Sequence, residues 1–127
     1  MQAIYDSFAR QTFMTTIGAR ISRVAPGEVD VELPFRADLL QQSGTFHAGV
    51  IGAIADNAAG YAALTMMPEG ANIVGVEFKI SFLAPATSDI VARGRVLRAG
   101  RTLSTTAADV FAGQTLVATM LATMMRR

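Results

Sequence analysis

The 127 residues leave room for one hydrophobic core, so a single domain spanning residues 1–127 is expected. Hydrophobic residues make up 51% of the chain, high enough for one this small to point to apolar surface buried between subunits. A net charge of +1 provides no field for nucleic acid or an anionic membrane, and the lack of cysteine excludes disulfides, thiolate metal sites and a cysteine nucleophile.

Residues 1–10 lack the basic start and apolar run of a secretory signal, and Asp6 argues against an organelle transit peptide. No apolar stretch approaches the ~20 residues that cross a bilayer, because Asp56-Asn57 interrupts the best candidate. A soluble, cytoplasmic protein is expected. One short helix is read over residues 3–15, with Ile4 and Phe8 on one side. Residues 19–24 and 28–33 read as strands around Ala25-Pro26-Gly27, a turn signal. The second alternates strictly from Val29 to Leu33, which predicts one buried face. Residues 35–46 are polar and irregular. Residues 48–67 then form an alanine-rich segment without proline, read as one helix stopped by Pro68-Glu69-Gly70. Four strands follow at 72–84, 89–98, 102–111 and 115–125, the last two joined as a hairpin at Ala112-Gly113-Gln114. One long helix embedded among antiparallel strands indicates an α+β domain whose sheet wraps or packs on that helix.

Placed on a helical wheel at about 100° per residue, Gly49, Gly52, Ala53, Asp56, Ala59, Gly60 and Ala63 share one side. Glycine inside a helix costs ~1 kcal/mol against alanine, so Gly52 and Gly60 together imply close approach by another backbone or by a ligand. Asp56 has a plain reading, as a cap or a solvated group beside Asn57. Its small apolar neighbours favour a second one: a partly desolvated carboxylate, suited to work as a base or nucleophile.

His47, the only histidine, precedes the helix. Its plainer role is to fix the turn by hydrogen bonding, with proton transfer as the alternative. The first NH groups of a helix lack internal partners, so the Ala48 NH is a candidate to receive a developing oxyanion. His47 and Asp56 lie about 180° apart around the helix and ~13 Å along it. A site using both must draw them from two copies of the chain, which a symmetric dimer supplies. Arg93, Arg95, Arg98 and Arg101 crowd nine residues; they form either a solvated strand face or a phosphate-binding patch. One histidine without cysteine leaves too few ligands for a metal site, and there is no Gly-x-Ser-x-Gly elbow.

The run Gln41-Gln42-Ser43-Gly44-Thr45-Phe46-His47-Ala48-Gly49, followed by Asp56-Asn57, resembles the signature of hotdog-fold thioesterases of the phenylacetate-pathway type. Gly44, His47, Gly49 and Asp56 match that family's pattern in type and spacing. The resemblance implies a curved antiparallel sheet around the long helix, and a homodimer or dimer of dimers joined edge to edge. It implies hydrolysis of an acyl-CoA, with a medium-chain or aryl acyl group, at the seam, with no cofactor. Asp56 would be general base or nucleophile across the dimer interface, the Ala48 NH would polarise the thioester carbonyl, and Gln41 would position water or the facing carboxylate. If the arginine patch is the phosphate-binding one, Arg98 and Arg101 are expected to bind the substrate, with Gly52 and Gly75 lining its site.

Two departures stand out: Ala48 replaces a glycine and Gln41 an asparagine. Gly75 stands where some relatives carry serine or threonine. The alternatives are a non-catalytic acyl-CoA binding module and a hotdog dehydratase. The latter's usual His-Phe-Pro turn is missing, since no proline follows His47.

Overall fold

A computed structural model describes residues 1–127. Two short helices open the chain, α1 (Gln2–Ala9) and α2 (Thr12–Ile17), where the sequence suggested one. The chain turns at Arg10-Gln11, and the Gln11 side chain leaves the helical path to bond with Tyr61 and Asn57. Gly18 then ends α2 in the left-handed conformation at φ 81°. Strands β1 (Arg20–Ala25) and β2 (Glu28–Leu33) form a hairpin, followed by an irregular segment and helix α3 (Ala48–Leu64). Strands β3 (Ile73–Phe82), β4 (Ile90–Ala99), β5 (Leu103–Ala112) and β6 (Thr115–Arg126) complete the chain.

All six strands make one antiparallel sheet in the order β1-β2-β4-β5-β6-β3. The strand that follows α3 is therefore placed at the far edge, against the last strand. Register shifts interrupt four of the five strand pairs, and such bulges bend and twist the strands that carry them. The alternation in β2 sends Val29, Val31 and Leu33 fully inward. They meet α3, which lies across the concave sheet as the hotdog resemblance implied.

Helix α3 ends at Leu64, three residues earlier than expected. The Thr65 hydroxyl donates back to the Ala62 carbonyl at 2.7 Å and accepts from the Gly27 NH at 2.8 Å, tying the chain to the β1–β2 turn. The helix is apolar on nearly every side, as a central helix must be. Ile54, Ala55, Ala58, Ala59, Ala62 and Ala63 have no exposed surface.

The small-residue side does not behave as one face. Gly60 is buried, and a Cβ there would lie 2.9 Å from Ile73 Cδ1, whereas a Cβ on Gly52 would meet nothing within 4 Å. The close backbone approach occurs instead at Gly94 in β4, where a Cβ would sit 2.2 Å from the Ala58 carbonyl oxygen. Replacing Gly94 by alanine forces the helix off the sheet. The variant should lose about 1–3 kcal/mol of stability, the usual cost of overpacking a core. Chemical denaturation measures it, and an unchanged midpoint would show that α3 shifts freely.

Candidate active site

The loop before α3 is set by Phe46. Its side chain is 3% exposed and packs edge-on against Phe35 with ring centroids 5.1 Å apart. Its NH donates to the Ala86 carbonyl, and the His47 NH donates to that of Leu39. Gly44, at φ 86°, closes the preceding turn. His47 therefore arrives as the N-cap of α3, where its Nδ1 accepts from the Gly49 NH at 2.8 Å. The Val50 and Ile51 amides take the His47 carbonyl. Among the first amides of the helix, only that of Ala48 has no acceptor in the protomer, and Ala48 is exposed. This leaves one NH at the positive helix end, open to an anion.

Gln41 lies beside Ala48 along a cleft shared with Ile51, Phe82 and Leu83. Its carboxamide is engaged within its own turn, donating to Thr45 Oγ1 and accepting from the Ser43 NH.

Asp56 opens on a different cleft, of about 370 Å³, which it lines with Asn57, Tyr61, Gly75 and Met124. No protein group donates to its carboxylate, and no cation offsets its loss of water, so burial pushes its carboxyl above the usual carboxylate range. A Cβ on Gly75 would lie 3.7 Å from Asp56 Oδ1, so the missing side chain leaves space directly beside the carboxylate. Within one protomer, the Ala48 NH and the Asp56 carboxylate thus face separate clefts. Gly49, Gly52 and Ala53 lie on the uncovered stretch of helix between them.

The arginine cluster divides. Arg95 pairs with Asp109 at 3.0 Å, and the Arg93 guanidinium stacks over Phe111 at 5.1 Å, both on the sheet face turned away from α3. Arg98 and Arg101 lie beyond the β4 bulge, toward the β4–β5 turn, and neither makes an ion pair. The sequence reading missed the contribution of the first helices. Ser7 Oγ meets Tyr61 Oη at 2.9 Å, and Gln11 bonds to both Tyr61 and Asn57 at the end of the Asp56 cleft. One signal was present: a tyrosine in a buried helix needs a partner for its hydroxyl.

Fold and site together define a family. A profile described as "Thioesterase superfamily" matches residues 43–119, from the turn before His47 to the middle of β6. A thioesterase family protein from Silicibacter pomeroyi is 42% identical, with 98% of this chain and 96% of that one aligned at a TM-score of 0.95. This chain belongs to the thioesterase superfamily. Human acyl-coenzyme A thioesterase 13 is 34% identical over 88 residues, covering 68% of this chain and 62% of that protein's length. The match to a Halobacterium salinarum relative spans 63% of its length. The E. coli PaaI protein from the phenylacetic acid degradation operon shares the fold at a TM-score of 0.92 and 21% identity, covering 99% of this chain and 91% of that one.

The environment of Asp56 has a consequence for stability. A carboxyl whose proton affinity is raised by folding contributes stability that is present below its unfolded pKa and lost as pH rises through the folded value. Above its unfolded pKa the carboxyl is therefore a growing cost to the fold, complete once it is ionised in both states. Asp56→Asn should raise Tm at neutral pH, and the gain should shrink as pH falls through the interval between the folded and unfolded values. A Tm difference independent of pH would contradict the desolvated environment.

Proposed function

We propose that this protein is an acyl-CoA thioesterase whose site is completed by two protomers. The observation that carries this reading is the separation of the two half-sites. A free helix N-terminal amide and a desolvated carboxylate, the pair that acyl transfer needs, occupy different clefts of one chain. Strand β3 is a free edge of the sheet, and Val76, Phe78 and Phe82 on it are each about half exposed. Pairing two β3 edges about a twofold axis extends the sheet, covers these side chains and lays the open stretches of the two α3 helices side by side. The Ala48 NH of each protomer then meets the Asp56 carboxylate of its partner.

In the reaction, Asp56 takes a proton from water as the oxygen attacks the thioester carbonyl carbon. The tetrahedral oxyanion is held by the Ala48 NH at the helix dipole's positive end. Collapse breaks the C–S bond, and the departing thiolate takes the proton from Asp56, giving free acid and coenzyme A. His47 holds the turn through Nδ1, so that the NH points outward. Gln41 positions the loop and the water through its turn. Direct attack by Asp56 on the thioester is the second reading, favoured by the open space that Gly75 leaves beside Oδ1. Arg98 and Arg101, without ion-pair partners, bind the phosphates of coenzyme A, and the acyl group is medium-chain or aryl. No helix is long and apolar enough to cross a membrane, and a cytoplasmic location fits this substrate.

Asp56→Asn should bind acyl-CoA yet lose ~10²–10⁴ in kcat, the worth of a general base. Ala48→Pro removes the candidate NH at the first helical position, where proline is tolerated, so the variant should fold without turnover. Mixing the two inactive variants creates heterodimers with one doubly defective site and one intact site. Activity should return to as much as half that of wild type per heterodimer. Near-normal turnover by Asp56→Asn, or full activity in a monomer by sedimentation, would remove the mechanism. A non-catalytic binding module would bind acyl-CoA without hydrolysing it.

Charge removal at Arg98 and Arg101 should raise KM for acyl-CoA while sparing thioesters that lack the nucleotide. The same change at Arg93, stacked on the outer face, should leave both substrates unaffected. Equal effects on both kinds of substrate would assign Arg98 and Arg101 a structural role.

A further inference from the structure

The Asp56 cleft has two chemically different walls. One is mostly apolar, formed by Gly60, Leu64, Ile73 and Met124, with Asn72 beside Ile73. The other is a chain of neutral hydrogen-bonding groups, Ser7, Gln11, Asn57 and Tyr61, half of it brought in by α1 and the start of α2. An alkyl chain laid against this second wall would strip water from amides and hydroxyls and return nothing.

The network does not use up its own donors. Gln11 Nε2 donates to Tyr61 Oη at 2.7 Å and to Asn57 Oδ1 at 3.4 Å, and Asn57 Nδ2 donates to Gln11 Oε1 at 3.1 Å. One N–H of Asn57 remains free. Ser7 and Tyr61 share a single hydrogen bond, so whichever donates, the other hydroxyl hydrogen is also free. Two spare donors suit an acceptor oxygen. No lysine or arginine lines the cleft, and Asp56 does, which disfavours a second carboxylate there. Asp56 and Tyr61 line the same cleft, and Tyr61 lies five residues further on, roughly 7.5 Å along the helix axis, an axial rise that an extended acyl chain of roughly six carbons matches.

We infer that Ser7, Gln11, Asn57 and Tyr61 form a subsite for the far end of the acyl group, and that the preferred substrates are acyl-CoAs bearing a neutral oxygen, a hydroxyl or ketone, near the sixth carbon. This rests on the thioesterase reading above and assigns its acyl specificity. The N-terminal helices then serve as the wall that selects the substrate. Their hydrogen bonds to α3 hold that wall in place.

The test compares hexanoyl-CoA with ω-hydroxyhexanoyl-CoA in the intact protein. Wild type should favour the hydroxylated substrate by about tenfold in kcat/KM, the worth of one or two neutral hydrogen bonds in a half-open site. Ser7→Ala and Gln11→Leu should bring the ratio toward one, by lowering kcat/KM for the hydroxylated substrate more than for hexanoyl-CoA. A wild-type ratio at or below one overturns the inference, as does a ratio unchanged in both variants. A purely structural network would lower both rates together and leave the ratio alone. Titration with the two matching non-hydrolysable thioether analogues repeats the comparison without turnover. Tighter binding of the hydroxylated analogue to a protein that hydrolyses neither thioester would keep the subsite and discard the hydrolase. Equal binding would discard the subsite whether or not the protein is a hydrolase.

Discussion

Helix α3 rests on the sheet with the Ala58 carbonyl occupying the place where a side chain at Gly94 would begin. The rest of the structure depends on this contact. It sets the separation of helix and sheet, which only alanines can fill at positions 55, 58, 59, 62 and 63. Larger residues appear where the gap widens, as Ile51 and Ile54 do on the same helix. The N-terminal stretch of α3 turns Val50, Ile51 and Ile54 into the core and leaves its other side without cover. Gly49, Gly52, Ala53 and Asp56 stay uncovered or half covered there. The position of Asp56 follows. It is sunk far enough to lose much of its water, and open enough for another molecule to reach it.

Charge is distributed to leave that region electrically quiet. The ion pairs Arg20–Glu32, Arg23–Glu28 and Arg95–Asp109 lie on the strands of the outer sheet surface. Solvent screens such pairs, and each contributes little to stability. None reaches across the sheet to the helix side. Asp56 therefore experiences desolvation without compensation, and its proton affinity rises for a single physical reason. A neighbouring arginine would have cancelled that effect and left an ordinary carboxylate.

The first two helices are joined to this arrangement by side chains rather than by strand pairing. Phe8 meets Tyr61 with ring centroids 6.0 Å apart, and hydrogen bonds from Ser7 and Gln11 converge on the same tyrosine. Tyr61 thus anchors the N-terminal segment by its ring and by its hydroxyl. Ile4, Met14 and Ile17 enter the main core beneath it. The segment is part of the cleft wall and shares the fate of the core.

Much of this was legible in the chain itself. Alternation in residues 28–33, the alanine-rich run from Ala48, and the turns at Gly27 and Gly113 report local backbone preferences, and those act over a few residues. The same range covers the turn at Gly44-Thr45-Phe46-His47 and the small apolar neighbours of Asp56, so the parts of the candidate site on that loop and helix stood out. Sequence periodicity carried no information on which strand lies beside which, and β3 went to the far edge against β6. It also assigned the close approach to Gly52 and Gly60 together, where the structure places it at Gly60 and Gly94. The four arginines looked alike as a run; a bulge between Val96 and Arg98 separates two engaged on the outer face, Arg95 with Asp109 and Arg93 over Phe111, from two without ion pairs. Ser7 and Gln11 reach Tyr61 across about fifty residues of chain. Contacts at that separation are decided by how the core packs, and no local pattern records them.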